Sequence, residues 1–151
     1  VAICEYLEEK HPAPALVGTT AEERAETRMW QRRIELNITE HLYNGFRYSE
    51  GLPLFKDRMH CLPEAAAGLK AIVQEKLAWL DNLMEGKQFI AGNRFTLVDI
   101  ILFSALDFGV GVGPTINPNL KNMAAWFDRV NSRPSAAASL SPDKSSGMRG
   151  V

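Results

Sequence analysis

Cysteine and histidine are both scarce in this sequence. Of its 151 residues, two are cysteines and three are histidines. Cys4 and Cys61 lie far apart, without a CxxC pair or histidines at ligand spacing, so neither a disulfide framework nor a zinc site is indicated. We therefore expect a reduced, cytoplasmic setting and no bound metal.

The sequence also lacks an excess of one charge and a long apolar run. It carries 17 basic and 18 acidic residues, which are interleaved, so a nucleic acid or an anionic membrane is not an expected partner. No apolar run approaches the roughly 20 residues of a membrane-spanning helix, and no secretory signal pattern is present. Because the chain opens at Val1 in helix-like sequence without an initiating methionine, we expect a further segment before it.

Helical spacing of apolar residues dominates what is present. The length and the 46% hydrophobic content suit one compact domain. No run alternates polar and apolar residues as a half-buried strand does, so we predict an all-α fold. The first helix covers Val1 to Lys10 and ends near His11, because the residue before Pro12 is biased away from helix.

A long helix is predicted from Thr20 to about Tyr48. Thr20 and Glu23 have the spacing of a capping box, in which the hydroxyl accepts from the Glu23 N–H and the carboxylate accepts from the Thr20 N–H. At about 100° per residue, the helix carries two apolar arcs, one with Trp30, Ile34 and Ile38 and one with Met29, Leu36 and Tyr43. We expect the core on one side and a second domain or subunit on the other.

The next segment, residues 49–62, is predicted to be a loop, and residues 64–85 to form a second long helix. Gly86 suits the left-handed conformation that ends it. Thr96 and Asp99 then have capping-box spacing, and Phe95 is placed to pack on Ile100 as a hydrophobic staple. The apolar residues that follow surround this helix almost completely, so we expect it to be fully buried.

The last third of the chain is predicted to hold two shorter helices. Residues 109–119 form a glycine- and proline-rich connection, and apolar spacing from Leu120 to Val130 indicates a helix. Pro134 suits the first turn of a final short helix. Residues 141–151 are polar and aperiodic, which is typical of a flexible tail.

Several of these segments resemble the soluble glutathione transferases. AICEYLEEKHP resembles the last helix of their thioredoxin-like domain, and TRMWQRRIELNI resembles the first long helix of their bacterial and fungal theta-like members. AGNRFTLVDIILFSALDF is similar to their helical-domain capping box and core helix. AAWFDRVNSRPSAAAS is similar to their WxxRxxxRPS-type ending. The resemblance runs from residue 1 to about residue 140.

The resemblance implies a C-terminal helical bundle of five to six helices, preceded by the last helix of a thioredoxin-like domain. The implied divisions are residues 1–11 for that helix, 12–19 for a linker, 20–140 for the helical domain and 141–151 for the tail. In the family, the Glu-Ser pair that grips glutathione and the residue that activates its thiol lie before the equivalent of Val1. We therefore expect no catalytic residue here, and little or no conjugating activity from this chain alone.

Two polar residues interrupt an apolar face of the long helix. Asn37 and His41 fall on the arc of Trp30 and Ile34, where polar groups must be hydrogen-bonded or line a wet pocket. They either satisfy backbone groups near the core or a domain junction, or line the site and polarise a sulfur. Both interpretations stay open.

The family places the mouth of its co-substrate site at the end of this helix. The implied binding residues there are Arg47, Tyr48 and Ser49, which are alternatively solvated residues that end the helix. The implied apolar wall consists of Tyr43, Phe46 and Phe108, which are alternatively plain core residues. Thr96 and Asp99 are expected to act structurally, through capping.

Two functions of different classes fit these residues. The first is the co-substrate-binding half of a glutathione transferase that conjugates glutathione to hydrophobic electrophiles, joined to its own thioredoxin-like domain and forming a homodimer. The second is a protein-docking module of the same fold without catalytic activity, in which the second apolar arc binds a partner.

Overall fold

The computed structural model of the protein describes residues 1–112 and 116–140, and within them every regular segment is helical. A π-helical turn, Glu35–Thr39, joins α2 to α3, and a 3₁₀ turn, Pro63–Ala65, precedes α5. The α-helices are α1 (Ala2–Lys10), α2 (Ala21–Ile34), α3 (Glu40–Arg47), α4 (Leu52–Phe55), α5 (Ala66–Leu83), α6 (Leu97–Val112), α7 (Lys121–Asn131) and α8 (Pro134–Ala138). The predicted all-α fold is confirmed. When α2, the π turn and α3 are counted as one helix, six helices follow α1 in the described residues.

The start of α2 follows the predicted capping pattern with one difference. The Thr20 hydroxyl accepts from the Glu23 N–H at 3.2 Å. The Glu23 carboxylate, however, accepts from the N–H of Thr19 at 2.7 Å and from its hydroxyl at 2.8 Å. The carboxylate thus reaches one residue further back than predicted, because Thr19 offers two donors to one oxygen.

The core lies between the long helix and α5, α6 and α7. Glu40–Arg47 packs closely along α5, and a Cβ at Gly45 would lie only 3.2 Å from Cγ of Lys70. Each large apolar side chain buried here contributes about 1.5–3 kcal/mol. The fully buried side chains include Ile34, Ile38, Val73, Leu77, Leu80, Val98, Leu102, Met123 and Trp126.

Two predictions for α6 were wrong. The helix is not fully buried, since Ile100 is 36% exposed and Val110 is 53% exposed, while Leu102 and Leu106 face the core. It also continues to Val112, through part of the predicted connection at residues 109–119. Packing of its apolar face outweighs the roughly 1 kcal/mol that a helical glycine costs. Residues 113–115 of that connection lie outside the described part.

The remaining segments largely follow the sequence prediction. The predicted loop at residues 49–62 contains the short helix α4, with Pro53 in its first turn, where proline is tolerated. Gly86, after α5, has the predicted positive φ of 71°. Helix α8 begins at Pro134 as predicted. The predicted tail at 141–151 lies outside the described residues.

Helix α1 is held against the linker and α2 by polar contacts. It ends at Lys10, before Pro12, as predicted. The Glu8 carboxylate accepts from the N–H groups of Leu16 at 2.7 Å and Val17 at 2.8 Å, and Arg28 pairs with Glu5 at 2.8 Å. Among the described residues, no helix combines the length and apolar character that crossing a membrane requires.

Candidate functional site

The π turn sets the register of the predicted site residues. Its last N–H, that of Glu40, bonds to the Glu35 carbonyl five residues back. Residues spaced by four drift about 40° per step around a regular helix, so Leu42 and Phe46 would turn away from the face of Ile34. The extra residue of the π turn offsets most of this drift, and all three side chains are buried.

The same turn separates Tyr43 from the arc on which the sequence placed it. Met29 and Leu36 are 47% and 55% exposed, whereas Tyr43 is half-buried against Phe108, with ring centroids 5.7 Å apart. The predicted second arc therefore ends at the π turn. Its first two residues face outward, and Tyr43 joins an aromatic cluster.

That aromatic cluster brings together residues from α3, α4 and α6. Phe46 packs edge-on against Phe108, with centroids 4.9 Å apart, and against Phe55, with centroids 6.2 Å apart. Phe46 is buried, while Tyr43, Phe55 and Phe108 are half-buried and leave part of their rings accessible. We call Tyr43, Phe46, Phe55 and Phe108 the aromatic cluster.

Sequence reasoning missed Phe55. It lies in the segment predicted to be a loop, where no periodic pattern pointed to a buried ring. The available signal was the sequence Leu52-Pro53-Leu54-Phe55, a proline followed by apolar residues that can start a short helix. Gly51 supports the arrangement, because a Cβ there would lie 2.6 Å from the Phe46 ring.

Arg47 lies beside this cluster. Its guanidinium carbon is 5.9 Å from the ring centroid of Tyr43 and 5.8 Å from that of Phe55. Its Nη1 donates to Oδ1 of Asn44 at 3.0 Å. A half-buried cation next to accessible rings can polarise or bind an electron-rich group of a ligand.

The ionisation of Tyr43 reflects the same surroundings. Burial raises the pKa of the Tyr43 phenol above its ordinary value, and the positive charge of Arg47 offsets part of that effect. The phenol is therefore protonated near neutral pH. It can donate a hydrogen bond to a ligand, but it cannot act there as a base.

Tyr48 and Ser49 close the helix beside the cluster. Tyr48 is the residue after α3, and its N–H bonds to the Asn44 carbonyl at 3.0 Å. The Ser49 hydroxyl contacts the Gly45 carbonyl and the Glu50 carboxylate. Both residues are half-buried, and Ser49 is held in the turn by its own neighbours.

Asn37 and His41 lie outside the core, in contrast to the predicted arc with Trp30 and Ile34. Both are half-buried, because the π turn rotates this part of the helix. Asn37 Nδ2 donates to the Arg33 carbonyl at 2.8 Å, within its own helix. His41 forms no side-chain hydrogen bond with the described residues.

Thr96 and Asp99 form a buried polar centre away from the aromatic cluster. The Asp99 carboxylate accepts from the Thr96 N–H at 2.8 Å, and the Thr96 hydroxyl accepts from the Val98 N–H at 3.3 Å. The same carboxylate also accepts from the Ile90 N–H at 3.0 Å and from Nε1 of Trp126 at 2.9 Å. Burial raises the pKa of Asp99, although each of these donors lowers it.

Phe95, the residue predicted to form a hydrophobic staple with Ile100, contacts an aromatic ring and a cation. Its ring packs on Phe89, with centroids 5.4 Å apart, and the guanidinium of Arg133 lies 3.7 Å from its centroid. Ile100, the predicted partner, is over a third exposed. The chain entering α6 therefore packs toward the α7–α8 junction.

A cleft of about 380 Å³ lies between α1, the linker and the start of α2, away from the aromatic cluster. Its charged lining includes Glu5, Glu8 and Glu9 from α1 and Arg24 and Arg28 from α2. It contains none of the predicted site residues. Within the described residues, no group of three or more His, Cys, Asp or Glu side chains could hold a metal ion.

Residues 58–134, just over half of the chain, match the family model described as "Glutathione S-transferase, C-terminal domain". The chain belongs to this family. The matched part runs from the turn after α4 to the first residue of α8 and includes Asp99, Phe108 and Trp126. The family assignment agrees with the all-α fold.

Relatives of this glutathione transferase domain are longer than the chain. Glutathione S-transferase GstA of Escherichia coli O157:H7 is 29% identical over 145 residues, which are 95% of this chain and 66% of that protein. Glutathione S-transferase 2 of Saccharomyces cerevisiae is 24% identical over 139 residues, or 89% of this chain and 58% of that protein.

A solved structure has the same fold. It is a glutathione S-transferase domain-containing protein from Marinobacter aquaeolei VT8, which is 31% identical and superposes with a TM-score of 0.81. The superposition covers 89% of this chain and 66% of that one. The chain thus spans between 58% and 66% of the length of these three proteins.

Proposed function

We propose that the chain is the helical, co-substrate-binding part of a cytoplasmic glutathione transferase that conjugates glutathione to hydrophobic electrophiles. The observation that carries this proposal is the aromatic cluster, where rings from α3, α4 and α6 meet beside the guanidinium of Arg47. Flat apolar surfaces with a few polar groups are typical of sites for small organic ligands. Membership of the glutathione transferase family supports the proposed reaction class.

The reaction needs a thiolate, and this chain is not proposed to generate it alone. A thiol of ordinary pKa near about 8.5 is mostly protonated at neutral pH, so an enzyme must stabilise its anion. We assign that step to a thioredoxin-like segment preceding this chain. The chain by itself should therefore show little or no conjugating activity.

We assign the residues of this chain to binding roles. Tyr43, Phe46 and Phe108 form the wall for the electrophile, and Arg47 lies at its edge. The Tyr43 hydroxyl is a donor. Tyr48 and Ser49 border the same end of the helix. This arrangement is supported by the ring distances and by the partial exposure of Tyr43 and Phe108.

His41 and Asn37 offer different side-chain groups to a ligand at this site. The His41 ring has no partner within the described chain, which suits a group that polarises a sulfur or an electrophile. Asn37 uses its amide N–H on the Arg33 carbonyl, so its side-chain oxygen is the group it can offer a ligand.

We also propose a homodimer that covers the outward face of the long helix. Met29 and Leu36 are exposed there, and exposed apolar residues on one helix face are typical of interfaces. The same face would bind a different protein if the chain were a docking module.

The test uses the longer protein, this chain with its preceding segment, and a matched pair of substitutions on α6. Phe108→Leu removes a ring of the aromatic cluster, whereas Phe103→Leu removes a half-buried ring that packs on Phe127 instead. With 1-chloro-2,4-dinitrobenzene, we expect Phe108→Leu to raise the KM for the electrophile about tenfold. The KM for glutathione should stay unchanged, and Phe103→Leu should alter neither constant.

Equal effects of the two substitutions would contradict the assigned wall. Absence of conjugation by the longer protein, across aromatic and alkyl electrophiles, would contradict the enzyme proposal. The docking module would then be the better account of the exposed face formed by Met29 and Leu36.

A further inference from the structure

Arg47 is held in place by a short polar network. Its Nη1 donates to Oδ1 of Asn44 at 3.0 Å, and Nδ2 of Asn44 donates to the Glu40 carboxylate at 3.1 Å. Asn44 is therefore anchored at both ends of its amide. The guanidinium carbon lies about equally far from the ring centroids of Tyr43 and Phe55.

Arg47 is not part of an ion pair in the described residues. Within residues 1–112 and 116–140, the basic side chains that form ion pairs with carboxylates are Arg28, Arg32, Lys70, Lys76 and Arg94, and Arg47 is not among them. Glu50 is engaged by Lys70 and Ser49, and Glu40 reaches Arg47 only through Asn44. Within the part of the chain that the structure describes, one of its five guanidinium N–H groups donates a hydrogen bond, to Asn44, and the guanidinium has further donors for an acceptor.

The aromatic cluster lies within the field of this charge. The positive charge of Arg47 lowers the pKa of Tyr43, opposing the larger effect of burial. The accessible parts of Tyr43, Phe55 and Phe108 are flat and apolar, and such faces favour stacked or edge-on contact with another ring. A flat apolar surface therefore lies next to a cation and a protonated phenol.

We infer that this surface takes an aromatic electrophile that carries an anionic substituent, with its ring on Tyr43 and Phe108 and its anion on Arg47. The inference rests on the proposed function, because it names the substrate class of the same site. A carboxylate matches the guanidinium fork through two parallel hydrogen bonds, which an uncharged substituent cannot form. In the conjugation, the glutathione sulfur bonds to a ring carbon, the carbon–halogen bond breaks, halide leaves and the thiol proton passes to solvent.

The experiment compares two ligands that differ by one carboxylate, 4-chloro-3-nitrobenzoate and 1-chloro-2-nitrobenzene. Each is titrated into this chain without glutathione, and the dissociation constants are measured by equilibrium dialysis in dilute salt. We expect the benzoate to bind about tenfold more tightly than the uncharged compound. Arg47→Met should abolish this preference while changing the affinity for the uncharged compound by less than about twofold.

Arg32→Met is the matched control. Arg32 is exposed on the same long helix, where it pairs with Glu35 at 3.3 Å, and its replacement should leave the preference intact. Far-UV circular dichroism checks that each variant keeps its helical signal. If Arg47→Met loses the helical signal, Arg47→Gln, which retains hydrogen-bonding groups, is used in its place. Arg47→Gln should also abolish the preference for the carboxylate ligand.

Equal affinity of the unsubstituted chain for both ligands would overturn the inference, as would an Arg47 substitution that weakens both ligands alike. Because binding is measured without glutathione, this result is independent of conjugation. A longer protein that conjugates but shows no carboxylate preference overturns the inference and leaves the proposed function intact. A carboxylate preference of this chain, together with no conjugation by the longer protein, supports the anion site and overturns the transferase proposal.

Discussion

The indole Nε1 of Trp126 donates to Oδ1 of Asp99 at 2.9 Å, joining the first turn of α6 to the middle of α7. Both residues are fully buried. The same carboxylate accepts from the N–H groups of Ile90 and Thr96. One side chain thus connects two helices and the loop before α6, and its contribution should be structural.

Replacing Asp99 should therefore be among the costliest single changes in the chain. Asp99→Ala removes the acceptor of four buried donors, the N–H groups of Ile90 and Thr96, the Thr96 hydroxyl and Nε1 of Trp126. We expect a loss of about 3–5 kcal/mol in the free energy of unfolding. Trp126→Phe removes one hydrogen bond and part of the ring, with an expected loss of about 1–3 kcal/mol. Urea unfolding followed by circular dichroism measures both losses.

Asp128 provides the control for this pair. It is exposed on α7, and Asp128→Ala should change the free energy of unfolding by less than about 0.5 kcal/mol. If Asp99→Ala cost no more than Asp128→Ala, the buried carboxylate would not be the connection described above.

Gly51→Ala should disturb the aromatic cluster from the loop side. The new Cβ would lie 2.6 Å from the Phe46 ring, which has to move because it is already packed between Phe55 and Phe108. We expect a loss of about 1–3 kcal/mol in the free energy of unfolding. Gly68→Ala is the control, because its Cβ meets nothing within 4 Å, and alanine is the better helix former in α5. A stable Gly51→Ala variant with unchanged ligand binding would contradict this packing.

The helices of this protein were predictable because their signals are local. Thr20, Thr96 and Pro134 mark helix starts through groups within three residues of each start, and Gly86 marks an end through its backbone freedom. Apolar spacing then fixed which side of α2 faces the core, since Trp30 and Ile34 interact over one turn of the same helix.

The candidate site was less predictable because it depends on contacts between distant segments. The π turn at Glu35–Thr39 has no local signal. It follows from keeping Ile34, Leu42 and Phe46 on one buried face. A regular helix without that turn would place Tyr43 on the outward-facing arc with Met29 and Leu36. The position of Phe55 depends on Phe46 and Gly51, and the partners Ile90 and Trp126 of Asp99 come from separate segments.

The titration of Tyr43 provides a direct test of its surroundings. Burial raises its pKa above 10.0, and Arg47 lowers it by a smaller amount. Absorbance at the tyrosinate band should therefore show one transition above pH 10 that is absent in Tyr43→Phe. Arg47→Met should move this transition further upward, because the opposing positive charge is gone. A Tyr43 transition below pH 10, or no response to Arg47→Met, would contradict the buried phenol beside a cation.

The contact between Glu23 and Thr19 should make stability depend on pH. Hydrogen bonds from the N–H and the hydroxyl of Thr19 lower the pKa of Glu23 below 4.5. Because the folded pKa is lower than the unfolded one, the stabilisation is present above about pH 4.5 and is lost as the pH falls through the folded pKa. Glu23→Gln keeps an acceptor but removes the charge.

Urea unfolding at pH 7 and pH 3 distinguishes this effect from a general loss of structure. The unsubstituted chain should be more stable than Glu23→Gln at pH 7, and the difference should shrink toward pH 3 as the falling pH protonates the carboxylate. Glu26→Gln, at an exposed position on the same helix, corrects for the change in net charge. A difference between the chain and Glu23→Gln that stays constant from pH 7 to pH 3 would show that the start of α2 does not depend on the ionised carboxylate.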